Sequence, residues 1–161
     1  MPDLYHRGPV RVSPQDQGVT VFDSYTREQL RLAYAQAWAK HLSGSPLTSL
    51  EALITDVIGA HPEFQGVLSD VDAALSVEPG AENPFLHMGL HLAVREQLAI
   101  DRPPGVRELH RQLQARYGDS HSAEHALMEA LGEALWQAQR SGLPPDEGKY
   151  LTLARDRLRQ R

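Results

Sequence analysis

The fold is decided by residues 83–101, which read NPFLHMGLHLAVREQLAID. Asn83 followed by Pro84 is a typical helix start, because Asn caps free backbone N–H groups and Pro suits the first helical position. The proline pair at 103–104 predicts that this helix ends near Asp101. Apolar residues lie almost all the way round it, which is typical of a buried helix. The stretch therefore predicts the central helix of an all-α domain.

Helix signals continue on both sides of this stretch. Thr26 and Thr48 each begin a capping box, and Pro62 ends the second helix. Residues 64–82 are predicted to form one or two helical turns and a loop. Three more helices are expected at about 105–117, 120–140 and 145–159, between Gly and Pro breaks. The sequence thus predicts an all-α bundle of five or six helices occupying residues 25–161.

Residues 1–24 differ from the rest of the chain. They contain Pro2, Pro9 and Pro14, and they show no helical period. We expect a non-helical N-terminal arm that lies on the body or on a partner chain. In the second case the protein would be a homo-oligomer. A frayed terminal segment is the alternative.

Composition excludes several classes of protein. The 161 residues include no Cys, so disulfide frameworks and Cys-based zinc modules are excluded. The net charge is −5, which argues against a nucleic-acid partner because phosphates require a basic surface. A helix-turn-helix DNA binder is therefore only a distant third hypothesis. The sequence shows neither a membrane-spanning apolar run nor a secretory signal, so we expect a cytoplasmic protein without a membrane partner.

The central helix carries polar side chains that a buried helix must satisfy. His87, His91 and Arg95 follow one another at i,i+4 spacing and therefore form one ridge. Leaving a buried neutral polar group without a partner costs about 1–3 kcal/mol, and a charged group costs more. We therefore expect neighbouring helices to supply partners for this ridge.

Two other predicted helices offer such partners. On the helix after Asp119, Glu124 lies within the apolar arc, and His121 lies at its edge. His125 and Glu129 lie farther round the same helix. On the second helix, His61 continues an apolar stripe and is expected to point inward.

The pattern supports two hypotheses. In the first, the bundle binds a transition metal such as Zn, Fe or Mn through His and Glu side chains, and Arg95 and Glu129 orient them. The candidate ligands are His87, His91, His121, Glu124, His125 and, in reserve, His61. A metal reached by water would permit hydrolytic or redox chemistry. The sequence predicts no catalytic residue, because the motif His-Met-Gly-Leu-His lacks the Glu that serves zinc proteases as general base.

In the second hypothesis the protein is a non-enzymatic interaction module. His87 and His91 would bond Glu124 and Glu129, and Arg95 would complete a buried polar network that holds the helix register. The function would then lie on a surface, for example a homodimer face that includes the arm. Neither hypothesis identifies a substrate or a small-molecule ligand.

The body also resembles a known family of bacterial proteins, mostly proteobacterial, called domain of unknown function 1841. The resemblance covers about residues 22–155 and is most specific at 83–97. Its remaining motifs are Gln29-Leu30-Arg31, Tyr34, Ala37-Trp38, His121, Glu124-His125, Met128-Glu129, Leu135-Trp136, Ala138-Gln139-Arg140, Pro145-Asp146 and Tyr150-Leu151. The first twenty residues depart from the family pattern. The resemblance implies an all-helical bacterial cytoplasmic protein, and it implies no activity.

Overall fold

A computed structural model describes residues 26–77 and 83–160 of the chain. These residues form eight α-helices and no strand, which confirms the all-α prediction. The helices are α1 (Arg27–Leu42), α2 (Ser49–Gly59), α3 (Pro62–Leu68), α4 (Val71–Ser76), α5 (Pro84–Ile100), α6 (Val106–Tyr117), α7 (Ser120–Ser141) and α8 (Glu147–Arg159). The predicted arm at 1–24 lies outside the described residues.

Local capping explains where the long helices begin. Thr26 and Thr48 both form the predicted capping boxes, in which each Thr hydroxyl accepts from the third helical N–H and that residue's side chain accepts in return. The Asn83 side chain accepts from the N–H groups of Phe85 and Leu86, and Asp119 accepts from Ser122. α1, α2, α5 and α7 therefore each begin at a residue whose side chain caps the first turn.

The helix count exceeds the predicted five or six because residues 62–76 form two short helices. Pro62 occupies the first position of α3, where its missing N–H costs nothing. The Asp70 side chain then caps α4 by accepting from the N–H groups of Asp72 and Ala73. Only one or two helical turns and a loop were expected here, because neither helix is long enough to show a clear apolar period.

Two hydrophobic cores meet on α5. One core joins α1–α5 and includes Trp38, Ile58 and Met88, and the other joins α5–α8 and includes Leu127. Because α5 contributes to both cores, it is the central helix, as predicted. Its ends are less buried than its composition suggests, since Leu86 on its first turn is 52% exposed.

The polar ridge of α5 lies where the two cores meet. α5 packs against both α2 and α7. His91 is completely buried at this junction, and His61 and Glu124 are also buried. In the described part of the chain, no helix combines the length and the apolar character that crossing a membrane requires.

Candidate metal centre

Four histidines from three parts of the chain converge at the junction of the two cores. One ring nitrogen of each lies within 4.8 Å of the corresponding nitrogens of the other three. We call this group the histidine cluster; its members are His61, His87, His91 and His125. Three contacts between their Nε2 atoms link the cluster, at 3.0 Å for His87 with His61, 3.1 Å for His91 with His61 and 3.0 Å for His91 with His125.

His61 enters the cluster because α2 ends just before it. Its backbone N–H donates to the carbonyl of Ile58, which leaves the carbonyl of Val57 without that partner. The ring Nδ1 of His61 donates to the Val57 carbonyl at 2.7 Å instead. A carbonyl can only accept, so this bond assigns the proton to Nδ1 and leaves Nε2 of the neutral ring with a free lone pair. Phe64 stacks on the ring with centroids 5.3 Å apart.

α5 supplies two members of the cluster from successive turns. His87 is half-buried, and Phe64 packs edge-on against it with the ring centroids 5.4 Å apart. His91 is fully buried, and its Nδ1 donates to Glu124 Oε2 at 2.7 Å. Because a carboxylate also only accepts, the neutral ring of His91 carries its proton on Nδ1. Its Nε2 lone pair therefore points at the cluster, as that of His61 does.

α7 supplies His125 to the cluster and His121 beside it. The His121 ring centroid lies 4.3 Å from that of His125, 4.9 Å from that of His61 and 5.0 Å from that of His91. A nitrogen of His121 also lies within 4.8 Å of ligand atoms of His91 and Glu124, in a second group of three. His121 thus borders the cluster without belonging to it.

His91 is hydrogen-bonded to Glu124, and Arg95 and Asp56 extend this contact into a chain of charged groups. Arg95 Nε donates to both oxygens of Glu124, at 3.1 Å and 3.3 Å. Arg95 Nη1 also pairs with Asp56 Oδ2 at 3.3 Å, on the solvent side of α2. Glu124 is therefore held by a guanidinium on one side and by an imidazole on the other. A carboxylate in this position fixes the orientation and the tautomer of a histidine ligand.

Burial disfavours the charged forms of His87, His91 and His125. Burial, followed by the neighbouring imidazoles, lowers the pKa of both His87 and His125 to about 4. Burial also lowers the pKa of His91, against the opposing effect of Glu124. Burial alone would raise the pKa of Glu124, but His91 and Arg95 outweigh it, and the net direction is downward. At neutral pH the rings of His87, His91 and His125 are therefore uncharged, and Glu124 is ionised.

Counting protons exposes one contact that neutral rings cannot satisfy. His87 and His125 can each donate an Nε2 proton to the neighbouring ring, which accounts for the two 3.0 Å contacts. Neither His61 nor His91 has a proton on Nε2, because both protons are held at Nδ1. In neutral rings no proton therefore lies between the Nε2 atoms of His61 and His91, which stand 3.1 Å apart, and a cation or an added proton there would make the contact attractive.

The structure brings together most of the residues that the sequence singled out. All six candidate ligands lie in or beside the cluster, and Arg95 contacts Glu124 as expected. Glu129 does not join them, because it faces α8, where it is exposed and pairs with Arg157 at 3.2 Å. The structure therefore corrects the supporting role predicted for Glu129.

Asp56 and Phe64 also contact the site, although neither was among the residues predicted from the sequence. Asp56 is an exposed residue of α2, and only the packing of α2 against α5 brings it to Arg95. Phe64 belongs to the segment that was predicted as a turn and loop, so its stacking on His61 had no local signal.

Comparison with known proteins gives a family and no function. Neither a curated protein nor a solved structure matches the chain. The model of the family described as "Domain of unknown function (DUF1841)" matches residues 26–156, which include all eight helices but for the end of α8. This match confirms the resemblance of the helical body, and the chain belongs to the DUF1841 family.

Proposed function

We propose that this protein binds one transition-metal ion through the Nε2 atoms of the histidine cluster. The observation that carries the proposal is the 3.1 Å contact between the Nε2 atoms of His61 and His91. Both nitrogens are bare in the neutral rings, and a metal ion between them converts a repulsive contact into two coordinate bonds. His87 and His125 add two more imidazoles within the same 4.8 Å limit.

The donor chemistry narrows the class of ion. Calcium and magnesium favour oxygen ligands, so a set of imidazoles disfavours both. Imidazole suits Zn, Cu, Fe and Ni, whereas Mn prefers carboxylate, carbonyl and water ligands. Of the three ions expected from the sequence, Zn and Fe therefore fit this cluster better than Mn.

Glu124 and Arg95 complete the proposed centre by holding His91 in its binding tautomer. The Glu124 carboxylate keeps the proton of His91 on Nδ1 and so keeps Nε2 free for the ion. The Arg95 guanidinium keeps Glu124 ionised and in place. His61 needs no carboxylate, because the Val57 carbonyl does the same for its ring.

Elemental analysis of the untagged protein, purified without a metal column, tests the proposal. We expect close to one equivalent of a transition metal and a melting temperature that falls on addition of EDTA. His87→Ala and His125→Ala should each lower the metal content. His110→Ala is the matched control. His110 lies on α6, and its ring contacts Ser120 at the start of α7 rather than the cluster. Metal content below about a tenth of an equivalent, with melting unchanged by EDTA, would exclude the metal centre.

A specific observation also supports the second candidate, a non-enzymatic interaction module. The chain His91–Glu124–Arg95–Asp56 forms good hydrogen bonds without an ion. Such a network can fix the register of α2, α5 and α7 by itself. It predicts that His91→Ala destabilises the protein equally with and without chelator. The metal proposal predicts a larger loss for the metal-loaded protein than for the stripped protein.

A further inference from the structure

We propose that the metal centre keeps an open coordination position beside His121 and that this position takes a small anionic ligand. The inference rests on the proposed metal site and concerns what the ion binds besides this chain. It depends on the angles at which the histidine nitrogens converge, on the unequal burial of the four rings, and on the charge that neutral ligands leave on the ion.

The spacing of the nitrogens is too narrow for a closed tetrahedron. With metal–nitrogen bonds of about 2.0–2.1 Å, tetrahedral ligands stand about 3.3–3.4 Å apart and neighbouring octahedral ligands about 2.8–3.0 Å apart. The three linked pairs stand 3.0, 3.1 and 3.0 Å apart. With the same bond lengths these separations correspond to angles of about 91–102° at an ion that takes the place of the two shared protons.

Near-right angles in a linked series of four donors occupy only part of the coordination sphere. Opposite octahedral ligands stand about 4.0–4.2 Å apart, which the 4.8 Å limit on the cluster allows. Four donors arranged at such angles leave at least one position of the coordination sphere without a protein ligand. A structural zinc site, in contrast, has all four tetrahedral positions filled by the protein.

The burial of the rings indicates where the open position lies. His61 and His91 are 2% and 0% exposed, whereas His87 and His125 are half-buried. Phe64 covers the His61–His87 edge, stacking on the first ring and meeting the second edge-on. We therefore place the open position at His125, which is half-buried and has the half-buried His121 against its ring.

Charge favours an anion in this position. Imidazole ligands are neutral, so they leave the charge of a divalent ion uncompensated. The nearest ionised carboxylate, Glu124, is already paired with Arg95. Asp56 pairs with Arg95, and the charge of Glu63 is felt by His87. Both carboxylates are exposed, so solvent screens their charge. An incoming anion would meet the ion on one side and an imidazole of His121 on the other.

Cobalt(II) and azide test the inference directly. The untagged protein is stripped with chelator, loaded with CoCl2 and titrated with sodium azide while the visible absorption is recorded. We expect a weak spectrum of five- or six-coordinate cobalt and a saturable change with one azide bound per ion. His110→Ala should behave like the unsubstituted protein. His121→Ala should keep its cobalt and bind azide about two- to tenfold more weakly, as the loss of one hydrogen bond predicts.

The outcomes separate this inference from the proposed function. An intense tetrahedral cobalt spectrum that azide does not change would overturn the open position and leave the metal site standing. Unchanged azide affinity in His121→Ala would overturn the placement beside His121. Failure to bind cobalt in the histidine cluster would overturn the metal site and the open position together.

Discussion

Replacing Glu124 by Gln removes one charge from the centre and leaves the size of the side chain unchanged. Glu124 accepts from Arg95 Nε with both oxygens and from His91 Nδ1 at 2.7 Å. An amide has one accepting oxygen and one donating nitrogen. If its oxygen faces His91, its nitrogen faces the Arg95 cation. If its oxygen faces Arg95, its nitrogen faces the proton on His91 Nδ1.

Both arrangements carry a cost that can be measured. The first leaves a donor against the Arg95 guanidinium, and the second drives the His91 proton to Nε2, where it blocks the proposed metal bond. Loss of a hydrogen bond to a charged group predicts that Glu124→Gln destabilises the metal-free protein by about 1.5–3 kcal/mol. Loss of the partner that orients a histidine ligand predicts that the dissociation constant for the metal rises about 10- to 100-fold.

Two assays separate these effects. Urea unfolding of the stripped protein measures the free energy of unfolding, and competition with a coloured chelator measures metal affinity. Glu133→Gln is the matched control, because this exposed carboxylate of α7 contacts Gln137 and lies away from the cluster. Metal affinity within twofold of the unsubstituted protein in Glu124→Gln would refute the role of Glu124 in holding the His91 tautomer.

Three further predictions concern stability. The pKa values of His87 and His125 are lowered to about 4 in the folded, metal-free protein, whereas the unfolded value is about 6.5. Between about pH 4 and about pH 6.5 the protein therefore takes up protons when it unfolds. The contribution of these two rings to the free energy of unfolding is fully present above about pH 6.5 and is lost as the pH falls towards about 4. Urea midpoints that do not change over this range would contradict the burial of these rings. Asp119→Ala removes the cap of α7 and should cost about 1 kcal/mol in urea unfolding; no loss would mean that the cap is dispensable. Gly132→Ala should raise the free energy of unfolding by about 0.5–1 kcal/mol, because a Cβ at this position meets no atom within 4 Å; destabilisation would reveal a contact that the structure does not contain.

Local sequence signals predicted the helices because capping acts within a single turn. Thr26, Thr48, Asn83 and Asp119 each satisfy N–H groups two or three residues ahead, so their effect needs no tertiary contact. The short helices α3 and α4 were predicted only as one or two helical turns, because each offers too few residues to show a period.

The sequence by itself determined that His87, His91 and Arg95 share one ridge, because i,i+4 spacing is a property of any α-helix. Which groups meet that ridge was decided by the tertiary structure. The packing of α7 on α5 brings Glu124 to His91 and leaves Glu129 facing α8. The sequence already placed Glu124 within the apolar arc of this helix and Glu129 farther round, and the packing of α7 decided which group each carboxylate meets. The end of α2 determines the position of His61, whose ring replaces a missing backbone donor and thereby turns Nε2 towards the other histidines.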